Sequence, residues 1–170
     1  MSKSKTIDTS KHTERFLQLA DEYKNVIAKV CSVYATADSP FSDLYQEVMI
    51  NLWSGMDSFR GDSKMSTWVY RLAINTCLTL HRYNSRHTIQ AMPIDANFDI
   101  PDDSSSQQED IKQLYRLIAR LETLDRAIIM LWLDEKSYDE ISAIIGISKA
   151  NVATRLFRAK QRLSELARNL

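Results

Sequence analysis

The chain has 170 residues and no net charge, with 44% hydrophobic and 26% charged residues. This composition is typical of a globular protein and excludes a disordered one. It contains no run of about 18 apolar residues that could cross a membrane. Residues 1–15 lack the apolar stretch of a secretory signal, and Cys31 and Cys77 lie far apart without a CxxC motif. We therefore expect a protein of the reducing cytoplasm, with no metal site and no cofactor.

Turn-forming residues are scarce, with three glycines and three prolines in the whole chain. This scarcity favours long helices over strands. The charges are unevenly distributed: residues 88–110 carry six acidic and no basic residues, whereas residues 1–87 and 111–170 carry a small basic excess. We therefore expect an all-α protein, with two small helical domains at 14–87 and 111–170 joined by a flexible acidic linker at 88–110 and preceded by a flexible N-terminus at 1–13.

Apolar residues at three- and four-residue spacings predict three helices in the first domain, at about 16–34, 43–53 and 66–84. The second helix has an acidic face with an apolar centre, formed by Asp43, Gln46, Glu47 and Ile50. A solvated face is the ordinary interpretation of such a pattern, but the apolar Ile50 also suits a protein partner. The third helix carries a stripe of polar and basic side chains: Arg71, Asn75, Thr79, Arg82 and Arg86. Together with Arg60 and Lys64, the stripe makes this region basic and suited to nucleic acid.

The second domain is expected to contain a helix-turn-helix. Two amphipathic helices, at about 111–121 and 124–133, are followed by a capping box at Ser137 and Glu140. Gly146 ends the next helix and Ser148 caps the last one, which runs to about residue 167. The first part of that last helix is basic and has side chains suited to phosphates and base edges: Lys149, Asn151, Thr154, Arg155, Phe157, Arg158 and Lys160.

Two blocks of the chain resemble the bacterial sigma factors of RNA polymerase. In the first block, DLYQEV at 43–48, DSFRGDS at 57–63 and TWVYRLAIN at 67–75 are similar to the family's motifs. In the second block, SYDEI at 137–141 and RLFRAK at 155–160 are similar to its C-terminal motif. The resemblance covers about residues 14–87 and 111–167. It identifies the chain as a member of the extracytoplasmic-function (ECF) type, which has only sigma domains 2 and 4.

The resemblance implies a partner for each surface. The face of Asp43, Gln46, Glu47 and Ile50 would dock on the clamp helices of the polymerase β′ subunit, and domain 4 would meet the β flap. Phe59 and Asn75 would hold a flipped base of the minus-ten element, with Arg60, Lys64, Arg71, Arg82 and Arg86 on its backbone. The last helix would read the minus-thirty-five element of promoter DNA through Thr154, Phe157 and Arg158, while Arg155 and Lys160 would add phosphate contacts. An anti-sigma factor, often membrane-bound, is a further partner that the family implies.

The sequence departs from the family pattern at several positions. Ala153 stands where the family usually has a basic residue, which affects the expected base preference. Glu122 replaces a common proline, and Glu135 replaces a common glycine before the capping box. No P-loop, metal-ligand spacing or nucleophile–base pair is present, so we expect neither an enzyme nor a small-molecule substrate. The main alternative is a stand-alone helix-turn-helix transcription regulator, which would leave the motifs of residues 43–86 without a purpose.

Overall fold

The computed structural model describes residues 9–85 and 106–169 of the chain. These ranges contain a 3-10 turn at Met56–Ser58 and no strand apart from one isolated bridge between Thr36 and Ser39. The all-α prediction is therefore confirmed. The α-helices of the described ranges are α1 (Thr9–Tyr34), α2 (Phe41–Gly55), α3 (Met65–Ser85), α4 (Ser106–Ile118), α5 (Thr123–Leu133), α6 (Tyr138–Ile145) and α7 (Lys149–Arg168).

The helix boundaries differ from the expected ones mainly at two places. α1 begins at Thr9, inside the segment expected to be a flexible N-terminus. α4 begins at Ser106, so the last residues of the expected linker form the polar first turns of a helix. The remainder of the expected linker lies outside the described residues. The two-domain boundaries therefore stay a prediction.

Helices α1, α2 and α3 surround an apolar core. α2 buries Leu44, Val48 and Leu52, which recur at four-residue steps along one of its faces. One polar contact joins α2 to α3, where the Asn51 amide donates to the Thr76 hydroxyl at 3.0 Å. Because these residues face the core, the opposite face of α2 is exposed to solvent.

The predicted helix-turn-helix is confirmed by its backbone geometry. The Ser137 hydroxyl accepts from the Glu140 backbone N–H, and the Glu140 carboxylate accepts from the Ser137 N–H, so the capping box closes in both directions. These bonds to Ser137 lower the pKa of Glu140 from its usual value. Gly146 has a φ of 82°, and the Ser148 hydroxyl accepts from the Asn151 N–H at the start of α7. The turn between α6 and α7 is therefore specified by local side-chain chemistry.

Glu135 occupies a strained position in the turn between α5 and α6. Its φ is 56°, in the left-handed region that side chains with a Cβ rarely adopt. This conformation gives a physical reason why glycine is common at this position in the family. The backbone changes direction in this turn. Asp134 caps the end of α5, and the capping box of α6 begins three residues later at Ser137.

The N-terminal and C-terminal halves pack directly against each other, which the sequence did not predict. The buried apolar residues of both halves form one continuous core. α1 contacts α4 and α5, and α3 contacts α6. The Tyr34 hydroxyl of α1 donates to the Thr123 carbonyl of α5 at 2.8 Å, and the Arg126 guanidinium lies 5.9 Å from the centre of the Tyr34 ring. We call this contact zone between α1/α3 and α5/α6 the domain interface.

The two cysteines lie in the core of the N-terminal half. Cys31 and Cys77 are both reduced and buried. The hydrogen bond with Cys31, followed by burial, raises the pKa of Cys77 far above its ordinary value. A thiol held in its protonated form is a poor nucleophile, so these cysteines act as core residues. Within residues 9–85 and 106–169, no three His, Cys, Asp or Glu residues cluster as a metal site would need, and no helix is long and apolar enough to span a bilayer.

Replacing Gly146 tests whether the left-handed turn determines the stability of the helix-turn-helix. Gly146→Ala should lower the free energy of unfolding by about 1–2 kcal/mol, because a Cβ is disfavoured at positive φ. Gly146→Asn is the matched control and should cost less, because asparagine tolerates this conformation. Thermal unfolding followed by circular dichroism measures both variants. Equal losses for alanine and asparagine would contradict the conformational explanation.

Candidate nucleic-acid and polymerase interfaces

The solvent face of α2 presents most of the residues predicted to contact polymerase. Asp43, Gln46 and Ile50 are exposed, and Ile50 retains 49% of its surface accessible. Glu47 is half-buried. An exposed isoleucine between acidic and amide side chains suits a partner surface that is basic with an apolar centre.

The sequence reasoning missed two exposed aromatic residues at the ends of α2. Phe41 and Trp53, at the two ends of α2, keep 40% and 37% of their surfaces exposed. The Trp53 ring meets the His12 ring edge-on at 4.3 Å and the Phe16 ring at 5.2 Å, which attaches the start of α1 to α2. His12 Nδ1 also lies 3.1 Å from Asp57 Oδ2. An exposed tryptophan on an amphipathic helix was the available signal, because aromatic side chains are enriched at protein interfaces.

The loop between α2 and α3 places Phe59 against Trp68. Their ring centres are 5.6 Å apart and the rings are tilted by 54°. A Cβ at Gly55 would lie only 3.3 Å from the Trp68 indole, so a larger residue at the end of α2 would require the indole to shift slightly. Trp68 is therefore packed, and it supports a half-buried Phe59.

One face of α3 carries the predicted stripe toward solvent. Arg71, Asn75, Thr79 and Arg82 are all exposed and follow each other along the helix. Arg60 and Lys64 are exposed in the loop before α3. Arg86 lies outside the described residues. The structure thus exposes the described basic and polar side chains expected to contact the minus-ten element, and four of them follow one face of α3.

Two members of this group contact α6 of the other half. The Arg71 guanidinium donates a hydrogen bond to the Ala143 carbonyl. The Lys64 ammonium lies 3.6 Å from a carboxylate oxygen of Glu140. In this arrangement, α6 therefore occupies two of the predicted phosphate contacts.

Helix α7 buries Val152, Leu156 and Ala159 and turns most of its predicted DNA contacts outward. Lys149, Asn151, Thr154, Phe157 and Arg158 are exposed, and Phe157 keeps 64% of its surface accessible. Because the capped turn fixes the first turns of α7, these side chains form one continuous outward surface. Its polar and basic side chains suit the major groove of DNA.

Arg155 and Lys160 are turned toward α5. Arg155 donates to Asp125 Oδ1 at 2.7 Å, and the Asp125 side chain is only 15% exposed. The Lys160 ammonium lies 3.5 Å from the centre of the Trp132 ring, a cation–π contact. Both side chains join α7 to α5 in this structure, so their predicted phosphate contacts require them to leave these partners.

Comparison with known proteins matches both halves of the chain to one family. The family models described as Sigma-70 region 2 and Sigma-70, region 4 match residues 19–87 and 111–163. The chain belongs to the sigma-70 family. The ECF RNA polymerase sigma-E factor of Escherichia coli (strain K12) is 32% identical over 160 residues, covering 86% of this chain and 83% of the relative. Membership of the ECF type, inferred from the motifs, is thereby confirmed.

Other relatives are similar along almost their whole length. The ECF RNA polymerase sigma factor SigW of Bacillus subtilis (strain 168) is 27% identical over 172 residues, covering 92% of this chain and 91% of the relative. Among solved structures, the sigma factor RpoE from Bartonella quintana, in complex with the anti-sigma factor NepR, superposes with a TM-score of 0.72 at 20% identity. That superposition covers 91% of this chain and 98% of the other, and it confirms the sigma-factor fold.

The two arginines of α7 should behave differently when replaced. Arg158→Ala should leave stability within about 0.5 kcal/mol of the parent, because the side chain is exposed. It should weaken specific promoter binding by about 1–3 kcal/mol if the guanidinium contacts a base. Arg155→Ala should instead lower stability by about 1–3 kcal/mol, because it leaves the Asp125 carboxylate unpaired. Thermal unfolding and promoter titration of the holoenzyme separate the two effects; a stability loss for Arg158→Ala would contradict its assignment as an exposed reader.

Proposed function

We propose that this ECF sigma factor initiates transcription through three separate surfaces. The face of Asp43, Gln46, Glu47 and Ile50 on α2 binds core RNA polymerase. The Phe59 loop and the α3 stripe bind the minus-ten element, and α7 binds the minus-thirty-five element. The observation that carries the proposal is the set of exposed surfaces. α2 exposes an acidic and apolar face, α3 exposes a basic stripe, and the capped helix α7 exposes polar and basic side chains.

The order of binding follows from the small size of the basic surfaces. Few exposed cations neutralise few phosphates, so the free chain should bind DNA weakly at physiological salt. Attachment to polymerase holds both readers near the same promoter and raises the effective concentration of the second contact. Promoter DNA is therefore bound by the holoenzyme in preference to the free chain.

Strand opening follows from trapping an unpaired base. Phe59 offers an aromatic face for stacking, and Asn75 on the neighbouring helix offers an amide that can pair with a base edge. Arg60 and Arg82 are exposed and suit the phosphate backbone. Binding energy from the flipped base then offsets the cost of unpairing, with no nucleotide hydrolysis by this chain.

The stand-alone regulator is not supported. It would explain the helix-turn-helix alone, whereas the family match includes residues 19–87 as well. Sigma factors initiate transcription without catalysing a reaction of their own, which agrees with the expectation that the chain is not an enzyme. We further propose that it acts in the cytoplasm and that an anti-sigma factor regulates it, as the complex of RpoE with NepR illustrates for a protein of the same fold.

Co-elution with core RNA polymerase on a sizing column tests the polymerase surface. The parent chain should co-elute stoichiometrically, and Asp43→Lys/Glu47→Lys should abolish co-elution because it reverses the charge of the face. Asp21→Lys/Glu22→Lys is the matched control on the exposed side of α1 and should co-elute normally. Failure of the parent to co-elute, together with tight DNA binding by the chain alone, would contradict the proposal.

Asn75→Ala tests the base-trapping step. The variant should slow formation of the open complex about tenfold, the effect of losing one base contact of about 1.4 kcal/mol. Its affinity for core polymerase should not change, because Asn75 lies on the DNA side of α3. Asn25→Ala, the same substitution at an exposed position of α1, is the control. Permanganate footprinting measures opening, and equal losses of opening and polymerase binding would show that Asn75 is structural.

A further inference from the structure

The outward surface of α7 has a polar edge and an apolar edge. A helix turns by about 100° per residue, which places Asn151 and Arg158 together on the polar edge. Ala150 and Phe157 form the apolar edge, and Thr154 lies between the two edges. All of these residues are exposed. The charge of the helix therefore describes only one side of the surface that it presents.

Phe157 is the largest side chain on the apolar edge. It keeps 64% of its surface accessible, so most of an aromatic ring is left in water. Burial of such a ring against a partner is favourable because it removes apolar area from water. The neighbouring Ala150 and the half-buried Ala153 end at Cβ, so they leave a partner free to approach the helix beside the ring.

Thr154 extends the apolar edge toward the middle of the surface. Its hydroxyl donates to the Ala150 carbonyl of the same helix at 3.0 Å. A threonine has one hydroxyl hydrogen, so no donor remains for the edge of a base. The group that Thr154 retains for apolar contact is its methyl.

Thymine is the base that suits this edge. In the major groove, thymine alone presents a methyl group, and phenylalanine, alanine and the threonine methyl are the side chains that contact it. The other bases present polar atoms there, which an apolar side chain would leave without hydrogen-bond partners. Residues 149–162 contain no acidic side chain, so the helix that carries this edge is electrostatically suited to DNA.

We propose that the apolar edge of α7 recognises thymine methyl groups in the minus-thirty-five element, with Phe157 as the main contact and Thr154 as the second. The proposal rests on the function proposed above and names the bases that α7 selects. The two residues are about 4.5 Å apart along the helix axis, close to the spacing of about 3.4 Å between base pairs. Their contacts therefore fall on the same or neighbouring base pairs, while Arg158 on the polar edge suits guanine.

The alanine at position 153 follows the same logic. Ala153 lies one turn before Phe157, beside the apolar edge. A basic side chain there would add affinity for phosphates, which carry no sequence information. With alanine in its place, this part of α7 contributes through apolar contact, and binding depends more strongly on the identity of the bases.

Replacing thymine by uracil tests the methyl contacts in the holoenzyme. Duplexes randomised over both promoter elements are first selected on the holoenzyme, and deoxyuridine then replaces each thymine of the enriched minus-thirty-five element in turn. This substitution deletes only the methyl group. The parent should lose affinity about fourfold for each contacted methyl, the equivalent of about 0.8 kcal/mol for one buried carbon. Deoxyuridine in the spacer between the elements is the control and should have no effect.

Variants of α7 assign the effect to the ring. Phe157→Ala should bind more weakly and should not distinguish thymine from uracil at the position that the ring contacts. Phe157→Leu retains an apolar side chain and should keep part of the discrimination. Arg158→Ala is the contrast: it should weaken binding to both duplexes equally and keep the fourfold ratio. Both positions are exposed, so helical circular dichroism should not change.

The outcomes separate this proposal from the function on which it rests. An enriched element without thymine, or equal binding of thymine and uracil duplexes by the parent, would overturn the thymine contact. A ratio that stays fourfold in Phe157→Ala would overturn it as well. Should Phe157→Ala bind too weakly to measure, Phe157→Leu decides the result, because its ratio must fall below that of the parent. If the holoenzyme enriches no sequence, the proposed function fails, and the thymine contact fails with it.

Discussion

The carboxylate of Asp134 is the constraint on which the arrangement of the two halves depends. Its side chain is only 14% exposed, and a charge removed from water requires compensating donors. The Tyr70 hydroxyl of α3 and the Lys29 ammonium of α1 donate to it across the domain interface. These two bonds hold the end of α5 beside α1 and α3. Helix α6 follows directly and packs against α3, where the Arg71 guanidinium donates a hydrogen bond to the Ala143 carbonyl. A single polar group thus links the end of α5 to the packing of α6 against α3. The apolar core also continues through the domain interface. The hydrophobic surface buried there stabilises the packing beyond what the polar contacts contribute.

The features that could be predicted from the sequence are those determined by neighbouring residues. The capping box of Ser137 and Glu140 requires only a serine three residues before a glutamate at a helix start, and Gly146 needs only its own backbone. Helix periodicity is equally local, so α2, α3 and α5 were placed within a few residues of their observed ends. The outward stripe of α3 followed from the same periodicity, because one face of the helix was apolar and had to be buried.

The features that could not be predicted depend on residues distant in the sequence. Lys29 and Asp134 are 105 positions apart, and neither lies in a motif that indicates the other. All the basic residues between 149 and 160 were expected to face DNA, because charge alone cannot show which of them has an internal partner. Asp125 lies 30 positions before Arg155, and the pairing of the two exists only once α5 and α7 have packed. Basic residues that look equivalent in the sequence therefore acquire different roles only when the helices pack against each other.

Internal pairing also supports the proposal that this chain depends on polymerase for DNA binding despite its basic last helix. In α7, Lys149 contacts Asp139, Arg162 contacts Glu165, and Lys160 contacts the Trp132 ring. Together with the pairing of Arg155, this leaves Arg158 as the basic side chain of residues 149–162 that has no ion-pair or cation–π partner among the described residues. Counterion release scales with the phosphates a protein neutralises, and cations that are already paired contribute only after leaving their partners. The electrostatic affinity of the helix is therefore smaller than its charge count indicates. Specific binding must gain the remainder from a second, tethered contact, which is what a shared polymerase supplies.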